Sequence, residues 1–188
     1  MVNDSNDTDV LIVGAGPVGL FLANECARRN MRWRLIEEQP SQSEYSKALA
    51  IFPRTLEIFD MAGVVAPFLE KANRVTRVVV ISHDRRIAHM RFEPEETPYS
   101  FIAMVPQDVT EKLLVEQLRR KGGNVEYETK FISAEQDDYA IKVTIERLGE
   151  STELRAAVVV GCDVAHSTVR HQLSLPFEGA RRLGARSC

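Results

Sequence analysis

The chain has 188 residues, of which 44% are hydrophobic and 27% are charged, and its formal net charge is −3 at pH 7. This length allows one domain with a sizeable core and excludes two large ones, and the charge balance gives no reason to expect nucleic-acid binding. The longest apolar run, at 10–23, is too short to cross a bilayer, and the three separated cysteines favour reduced thiols, so we expect a cytoplasmic protein with no membrane segment and no metal site.

A glycine-rich turn follows the first predicted strand. Residues 1–9 are polar and predicted to be disordered, and Val10–Val13 is an apolar run of strand length. The candidate ligand-binding residues of the turn after it are Gly14, Gly16, Pro17, Val18 and Gly19. In a dinucleotide-binding turn of the form G-x-G-x-x-G, the first glycine permits the tight turn, the second lets the backbone approach a pyrophosphate, and the third lets helix and strand pack closely. The N-terminus of the following helix would then stabilise the phosphates without a basic side chain.

An acidic residue follows the second predicted strand. The helix after the turn continues to Arg29, with Asn30 as its predicted C-terminal cap, and a strand is predicted at Trp33–Ile36. Glu37 comes next, 23 positions after Gly14, where an acid is expected to hydrogen-bond an adenosine ribose. Because an acid there disfavours a 2′-phosphate, the pattern indicates FAD or NAD rather than NADP. A surface carboxylate after an ordinary strand is the alternative interpretation.

The next predicted helix carries a candidate ligand. After a predicted loop at Glu38–Lys47, the helix begins at Pro53, runs to Met61 and ends near Gly63. Its inward-facing residues are predicted to be Leu56, Ile58 and Phe59. Arg54 lies in the first turn, where the helix dipole disfavours a cation unless an anion faces it, so we treat Arg54 as a candidate ligand.

Strand patterns dominate the residues between this helix and the next. Val75–Ser82 and Ile87–Phe92 predict an antiparallel hairpin with one exposed face, and Ser100–Val105 predicts a third strand. A helix then begins with Asp108 as its predicted N-cap and Glu111 completing a capping box three residues later. Gln107 lies just before that helix. Further strands are predicted at Val125–Tyr127, Phe131–Glu135 and Ala140–Leu148.

The last strand pattern predicts a buried strand of the parallel sheet. Glu153–Val160 ends in the run Ala-Ala-Val-Val-Val, which is typical of a strand buried on both faces in a parallel sheet. Gly161–His166 forms the turn after it, and Ser167 is placed to cap a short helix.

Four segments, taken together, resemble the FAD-dependent aromatic hydroxylases, the group A flavoprotein monooxygenases that include phenol and para-hydroxybenzoate hydroxylases. The segments, in order, are Val13–Gly19, Ile36–Glu37, Pro53–Glu57 with Pro106–Gln107, and Gly161–Arg170. The resemblance implies an α/β fold, a Rossmann-like parallel-sheet FAD-binding domain at 10–179 with inserted antiparallel strands.

The resemblance also implies roles for particular residues. The glycines of the turn would hold the FAD pyrophosphate and Glu37 the adenosine ribose. Arg54 and Gln107 resemble the family's contacts beside the flavin chain, and Asp163 resembles the acid of its second fingerprint, near the ribityl and the pyrophosphate. The implied activity is NAD(P)H- and O2-dependent hydroxylation of a small phenolic ring, in which the flavin carries the chemistry. We therefore assign no catalytic side chain.

Two departures from the family pattern qualify this interpretation. Val164 stands where the family has glycine, and the family's later Gly-Asp segment is absent, while the basic stretch 180–188 is not family-like. We therefore expect a truncated form whose incomplete sheet leaves Val10–Val13 and Val158–Val160 partly uncovered and favours self-association. Two alternatives stay open: an NAD-dependent dehydrogenase, which should lack the set Arg54, Gln107 and Asp163, and a non-catalytic nucleotide-binding fragment.

Overall fold

The computed structural model describes residues 7–42, 50–92, 97–163 and 167–177. Its strands are β1 (Thr8–Val13), β2 (Trp33–Ile36), β3 (Ala50–Ile51), β4 (Asn73–Val75), β5 (Arg77–Ser82), β6 (Arg85–Arg91), β7 (Ile102–Met104), β8 (Thr129–Gln136), β9 (Ile141–Arg147) and β10 (Glu150–Gly161). Its helices are α1 (Pro17–Arg28), α2 (Pro53–Met61), α3 (Ala66–Lys71), α4 (Gln107–Arg120) and α5 (Thr168–Gln172).

The main sheet has the strand order β2-β1-β10-β9-β8 and changes from parallel to antiparallel at β10. Val10 of β1 lies opposite Trp33 of β2 and Val158 of β10, and both pairings are parallel. β9 runs antiparallel to β10 and to β8. The predicted α/β class, with a parallel sheet joined by antiparallel strands, is therefore confirmed.

β1 lies between two apolar layers. Val10 and Ile12 belong to the core that includes residues of α1 and α4, whereas Leu11 and Val13 belong to a second core with residues of β8, β9 and α5. Successive side chains of a strand point to opposite faces, so a strand covered on both faces must be apolar at every position. This explains the uninterrupted hydrophobic run that marked β1 in the sequence.

Local signals correctly located most element ends. α1 begins at Pro17, and Asn30 follows it with a φ of 54°, the left-handed conformation expected after a helix end. α2 spans the predicted residues, and Ser167 caps α5 by accepting a hydrogen bond from the Arg170 N–H. α3 and β4 were not predicted.

Two strand predictions need correction. In the segment Val125–Tyr127, only Glu126 forms a bridge, to Ile36. The strand predicted at Ser100–Val105 is shorter, β7, and it pairs with β3 and β4. These pairings join residues far apart in the chain, which local periodicity does not report.

β5 and β6 form the predicted hairpin, but its exposure is not confined to one face as the alternation predicted. All seven residues of β6 are exposed, and Ile81 and Ile87 are 66% and 63% exposed. The two strands pair with each other in a sheet of their own. His83 and Asp84 form the turn with φ of 48° and 59°.

Burial was overestimated at two further places. Ile58 is 37% exposed, because the short helix α2 buries one stripe that contains Leu56 and Phe59. The pattern of a strand buried on both faces fails at Val158, which is 48% exposed because β10 continues beyond Ala156, where its pairing with β9 ends. This exposure agrees with the expectation that Val158–Val160 is partly uncovered, whereas the same expectation for Val10–Val13 was wrong, because these residues are at most 7% exposed. The predictions for residues 1–6, 43–49, Val164 and 180–188 lie outside the described residues. In the described ranges, no helix is long and apolar enough to cross a membrane.

Candidate functional site

The glycine-rich turn lies where β1 ends and α1 begins, and its glycines are required for different reasons. Gly14 has a φ of +103°, and a side chain there would meet the Cys162 carbonyl oxygen at 2.7 Å. A Cβ on Gly19 would lie 2.0 Å from the Gly14 carbonyl oxygen, so α1 packs directly against the turn. A Cβ on Gly16 would meet no atom within 4 Å. The outer two glycines therefore hold the turn together, and the middle one leaves its backbone open to a ligand.

The N-terminus of α1 begins at this open glycine. Gly16 is the N-cap, Pro17 occupies the first turn, no side chain caps the helix, and the first turn carries no acidic residue. Val18, also in this turn, is 71% exposed. The helix dipole and the N–H groups of the first turn are therefore available to an anion at this end.

Glu37 is fixed against the same turn. Its Oε2 accepts a hydrogen bond from the Ala15 N–H at 2.7 Å, and its Oε1 accepts one from the Gln39 N–H at 3.0 Å. Two backbone donors hold the carboxylate, so its position is set before any ligand arrives. Each carboxylate oxygen has a further acceptor site, which leaves capacity for a hydroxyl.

The turn, Glu37 and two more predicted ligands line one cleft of about 820 Å³. The predicted site residues that line it are Gly14, Gly16, Pro17, Val18, Glu37, Gln107 and Asp163. The sequence motifs therefore converge, although Glu37 and Gln107 are 70 positions apart in the chain. Gly19 supports the turn from behind.

Arg54 is placed differently from the other candidates. Its side chain is 77% exposed, its Nη1 forms an ion pair with Glu57 Oε2 at 2.9 Å, and it is not among the residues that line the cleft. The hydrogen bonds from Thr97 and Arg54 lower the pKa of Glu57, so that carboxylate stays ionised as the partner of Arg54.

Gln107 begins α4 and pairs with a buried carboxylate. Gln107 Nε2 donates to Glu111 Oε1 at 2.8 Å, and Glu111 is only 4% exposed.

The predicted capping box at the start of α4 was wrong: Pro106 is the N-cap, and Asp108 lies inside the helix, where it pairs with Lys112 at 3.2 Å. Sequence reasoning missed Glu111 as part of the cleft. The signal was its spacing, because it shares the buried stripe of α4 with Leu114, Val115 and Leu118.

Asp163 lies at the end of β10 and ties the turn there to α5. Its Oδ2 accepts hydrogen bonds from the N–H groups of Thr168 at 2.7 Å and Val169 at 3.4 Å. Its Oδ1 is buried and has no hydrogen-bond partner in the part of the chain that the structure describes. A buried carboxylate oxygen normally has a partner, so this atom fits a ligand donor in the cleft.

Two further ionisable groups of the cleft, Tyr127 and Cys162, are held in their neutral forms. Burial raises the pKa of the Tyr127 phenol, and the negative charges of Glu37 and Glu111 act in the same direction. Burial, reinforced by Asp163, raises the pKa of the Cys162 thiol. The cleft therefore positions these two groups without activating either as a nucleophile.

Comparison with known proteins gives a consistent result. The family model described as "FAD binding domain" matches residues 7–187. The chain is 32% identical over 171 residues to rifampicin monooxygenase of Streptomyces venezuelae, covering 91% of this chain and 35% of that protein. It is 31% identical over 180 residues to pentachlorophenol 4-monooxygenase of Sphingobium chlorophenolicum, covering 93% of this chain and 33% of that protein. The chain thus spans about a third of the length of these curated relatives.

Solved structures share the fold. The crystal structure of p-nitrophenol 4-monooxygenase from Pseudomonas putida superposes with a TM-score of 0.86 at 26% identity, covering 92% of this chain and 45% of that one. A ternary complex of aklavinone-11 hydroxylase with FAD and aklavinone superposes with a TM-score of 0.78 at 29% identity, covering 92% of this chain and 36% of that one.

Proposed function

The chain belongs to the FAD binding domain family, and from that premise we propose that the cleft beyond β1 binds FAD for an aromatic monooxygenase. One observation carries the proposal: the open Gly16 backbone, the uncapped N-terminus of α1, and Glu37 all face the cleft that Gln107 and Asp163 also line. The first three features suit a pyrophosphate and an adenosine ribose. An Asp163 oxygen that is buried and has no partner among the described residues suits a further hydroxyl or N–H donor of the same ligand.

Particular residues would hold particular parts of the cofactor. We assign the pyrophosphate to the backbone of Gly14 and Gly16 and the first turn of α1 with Pro17 and Val18, and the adenosine ribose to Glu37. Gln107 and Asp163 are assigned to the part of FAD beyond the pyrophosphate. Arg54 remains a proposed ligand, and it would have to turn from Glu57 to act as one.

The reaction we propose is hydroxylation of a small aromatic, phenolic substrate with NAD(P)H and O2. Bound FAD would supply the redox chemistry, whereas this chain's own residues bind and orient it. By their names, two relatives act on pentachlorophenol and p-nitrophenol, which supports the substrate class. An NAD-dependent dehydrogenase is not favoured, because Gln107 and Asp163 line the same cleft as the glycine turn.

We also propose a cytoplasmic location, which the free thiols of Cys26 and Cys162 support.

The experiment that tests FAD binding uses Gly16. Gly16→Val should fold like the parent, because its Cβ meets no protein atom and its φ of −70° suits any residue, yet its side chain would occupy the backbone surface assigned to the pyrophosphate. We expect the parent to quench flavin fluorescence on titration with FAD and the variant to lose this binding. Equal affinity of the folded variant, or no binding by the parent, would refute the assignment.

A second copy of the chain is the partner we propose for the free edge of β10. Beyond Ala156, that edge pairs with no strand among the described residues, and the segment 157–161 carries no charge. An uncharged edge can pair with its own copy without charge repulsion. Sedimentation over a concentration series should reveal dimers that Val158→Lys converts to monomers. An unchanged association state in that variant would show that another surface, or no specific one, is responsible.

A further inference from the structure

We infer that Glu111 is a positioning residue that holds the Gln107 amide in the orientation in which it meets FAD. This inference rests on the proposed FAD site. Glu111 was expected only to cap a helix, and it does not do so. Its carboxylate instead lies in the wall of the cleft and accepts the Gln107 Nε2 hydrogen bond at 2.8 Å.

The burial of Glu111 is the first step of the argument. It is 4% exposed and shares the inward stripe of α4 with Leu114 and Leu118, both completely buried. An aliphatic residue would pack at such a position without the penalty of removing a carboxylate from water. A carboxylate at this position therefore has a polar function, and the hydrogen bond to Gln107 is consistent with a role in positioning that amide.

The second step is the direction of that hydrogen bond. Gln107 turns its Nε2 toward Glu111 Oε1, and the reversed amide would place the amide oxygen against a carboxylate oxygen. The pairing fixes both the rotamer of Gln107 and the flip of its amide. A glutamine side chain ordered in this way loses less conformational entropy when a ligand binds.

A glutamine in place of Glu111 tests whether the direction of the hydrogen bond to Gln107 matters, because it keeps the contact but not the direction. Glu111→Gln keeps the size and a hydrogen bond, but its amide can pair with either flip of Gln107. The experiment is a double-mutant cycle of Glu111→Gln and Gln107→Met, with FAD dissociation constants measured by flavin fluorescence. The matched control is Glu116→Gln, an exposed glutamate on the same helix. Melting temperatures without FAD report any purely structural effect.

We expect Glu111→Gln to weaken FAD binding about fivefold in the parent and to have no further effect in the Gln107→Met background. Glu116→Gln should leave the affinity unchanged. Glu111→Asp, which keeps the charge but shortens the reach, serves as a second variant with the same expected pattern if Glu111→Gln fails to fold.

Two results would overturn the inference alone: parental FAD affinity in both Glu111 variants, or an equal loss in the presence and absence of Gln107. The latter would mean that Glu111 acts through the fold rather than through Gln107. A parent chain that binds no FAD would overturn the proposed function, and this inference with it.

Discussion

The glycine turn between β1 and α1 and the His83-Asp84 turn of the β5–β6 hairpin both reverse the chain through backbone with positive φ, but different forces fix them. In the first, neighbouring backbone decides the residue, since a Cβ on Gly14 or Gly19 would meet a carbonyl oxygen at 2.7 or 2.0 Å. In the second, polar residues adopt φ near 50° by local preference, and the strands they join are exposed. The sequence of the first turn is constrained by tertiary packing, and that of the second only by its own conformation.

Gly19→Ala should cause the largest loss of stability, because it tests the backbone packing at the first turn. Alanine in a helix normally gains about 1 kcal/mol over glycine, but here its Cβ would lie 2.0 Å from a backbone oxygen that cannot move without separating α1 from the turn. We expect a net loss of about 3 kcal/mol or more in unfolding free energy, measured by urea denaturation. The control is Gly16→Ala, which should change stability by less than about 0.5 kcal/mol. Equal midpoints for the two variants would contradict the packing argument.

Leu11→Ala tests the sheet that supports the first turn. Leu11 is completely buried in the layer between β1 and the β8–β9 side. Removing its side chain should lower the unfolding free energy by about 2 to 5 kcal/mol. Met61→Ala, at a position 79% exposed, is the control and should have little effect. A small loss for Leu11→Ala would mean that this layer is not closely packed.

Glu25→Gln probes the opposite end of α1 through its pH dependence. Hydrogen bonding to Arg28, assisted by Arg29, lowers the pKa of Glu25 from 4.5 to about 2. Because the folded-state pKa is depressed, the stabilisation is present above pH 4.5 and is lost as the pH falls toward 2. We expect the variant to be less stable by about 0.5 to 1 kcal/mol at pH 7, a modest effect for surface pairs, and equal to the parent near pH 2. A difference that does not vary with pH would argue against the ion pairs as its cause.

Ile81→Thr should have the smallest effect on stability, because the hairpin is exposed where the first turn is packed. Ile81 lies on the hairpin and is 66% exposed, and threonine retains the β-branched shape that suits a strand. The unfolding free energy should change by no more than about 0.5 kcal/mol. A loss comparable to that of Leu11→Ala would indicate that the hairpin packs against another surface in solution.

The sequence predicted what depends on local sterics and missed what depends on packing. The glycine spacing, Pro17 and Asn30 each satisfy requirements of a few adjacent residues, and the structure has the turn, the helix start and the helix end where expected. Ile58 carries the same apolar signal as buried residues, yet it is 37% exposed, and Val10–Val13 was expected to be partly uncovered, yet it is buried. An apolar side chain can be buried without penalty, but it is buried only where another helix or strand packs against it.

In the candidate site too, the features set by local geometry were predictable and those set by packing were not. Glu37 was predictable because it immediately follows a strand that pairs with β1, so its distance from the turn is set by strand geometry. The side-chain partner of Arg54 was not predictable, because nothing in the local pattern distinguishes a ligand contact from the ion pair with Glu57, and its role as a ligand stays a prediction. Glu111 was misassigned because the N-cap of α4 is Pro106 rather than Asp108, so the glutamate lies two positions further into the helix than a capping box requires and belongs to the buried stripe.

The parallel pairing of β1 with β10 also governs how the molecule must fold. Asp7 Oδ2 accepts a hydrogen bond from the Arg155 N–H, and the two residues are 148 positions apart. The cleft wall at Val13 and Cys162 therefore forms only when β1 pairs with β10, where Val13 lies opposite Gly161, whereas α1 and the β8–β9 hairpin can form from nearby residues. Contacts of such long sequence separation slow folding and leave apolar strands exposed in the meantime. Refolding should accordingly proceed through a species with helical signal that does not yet bind nucleotide.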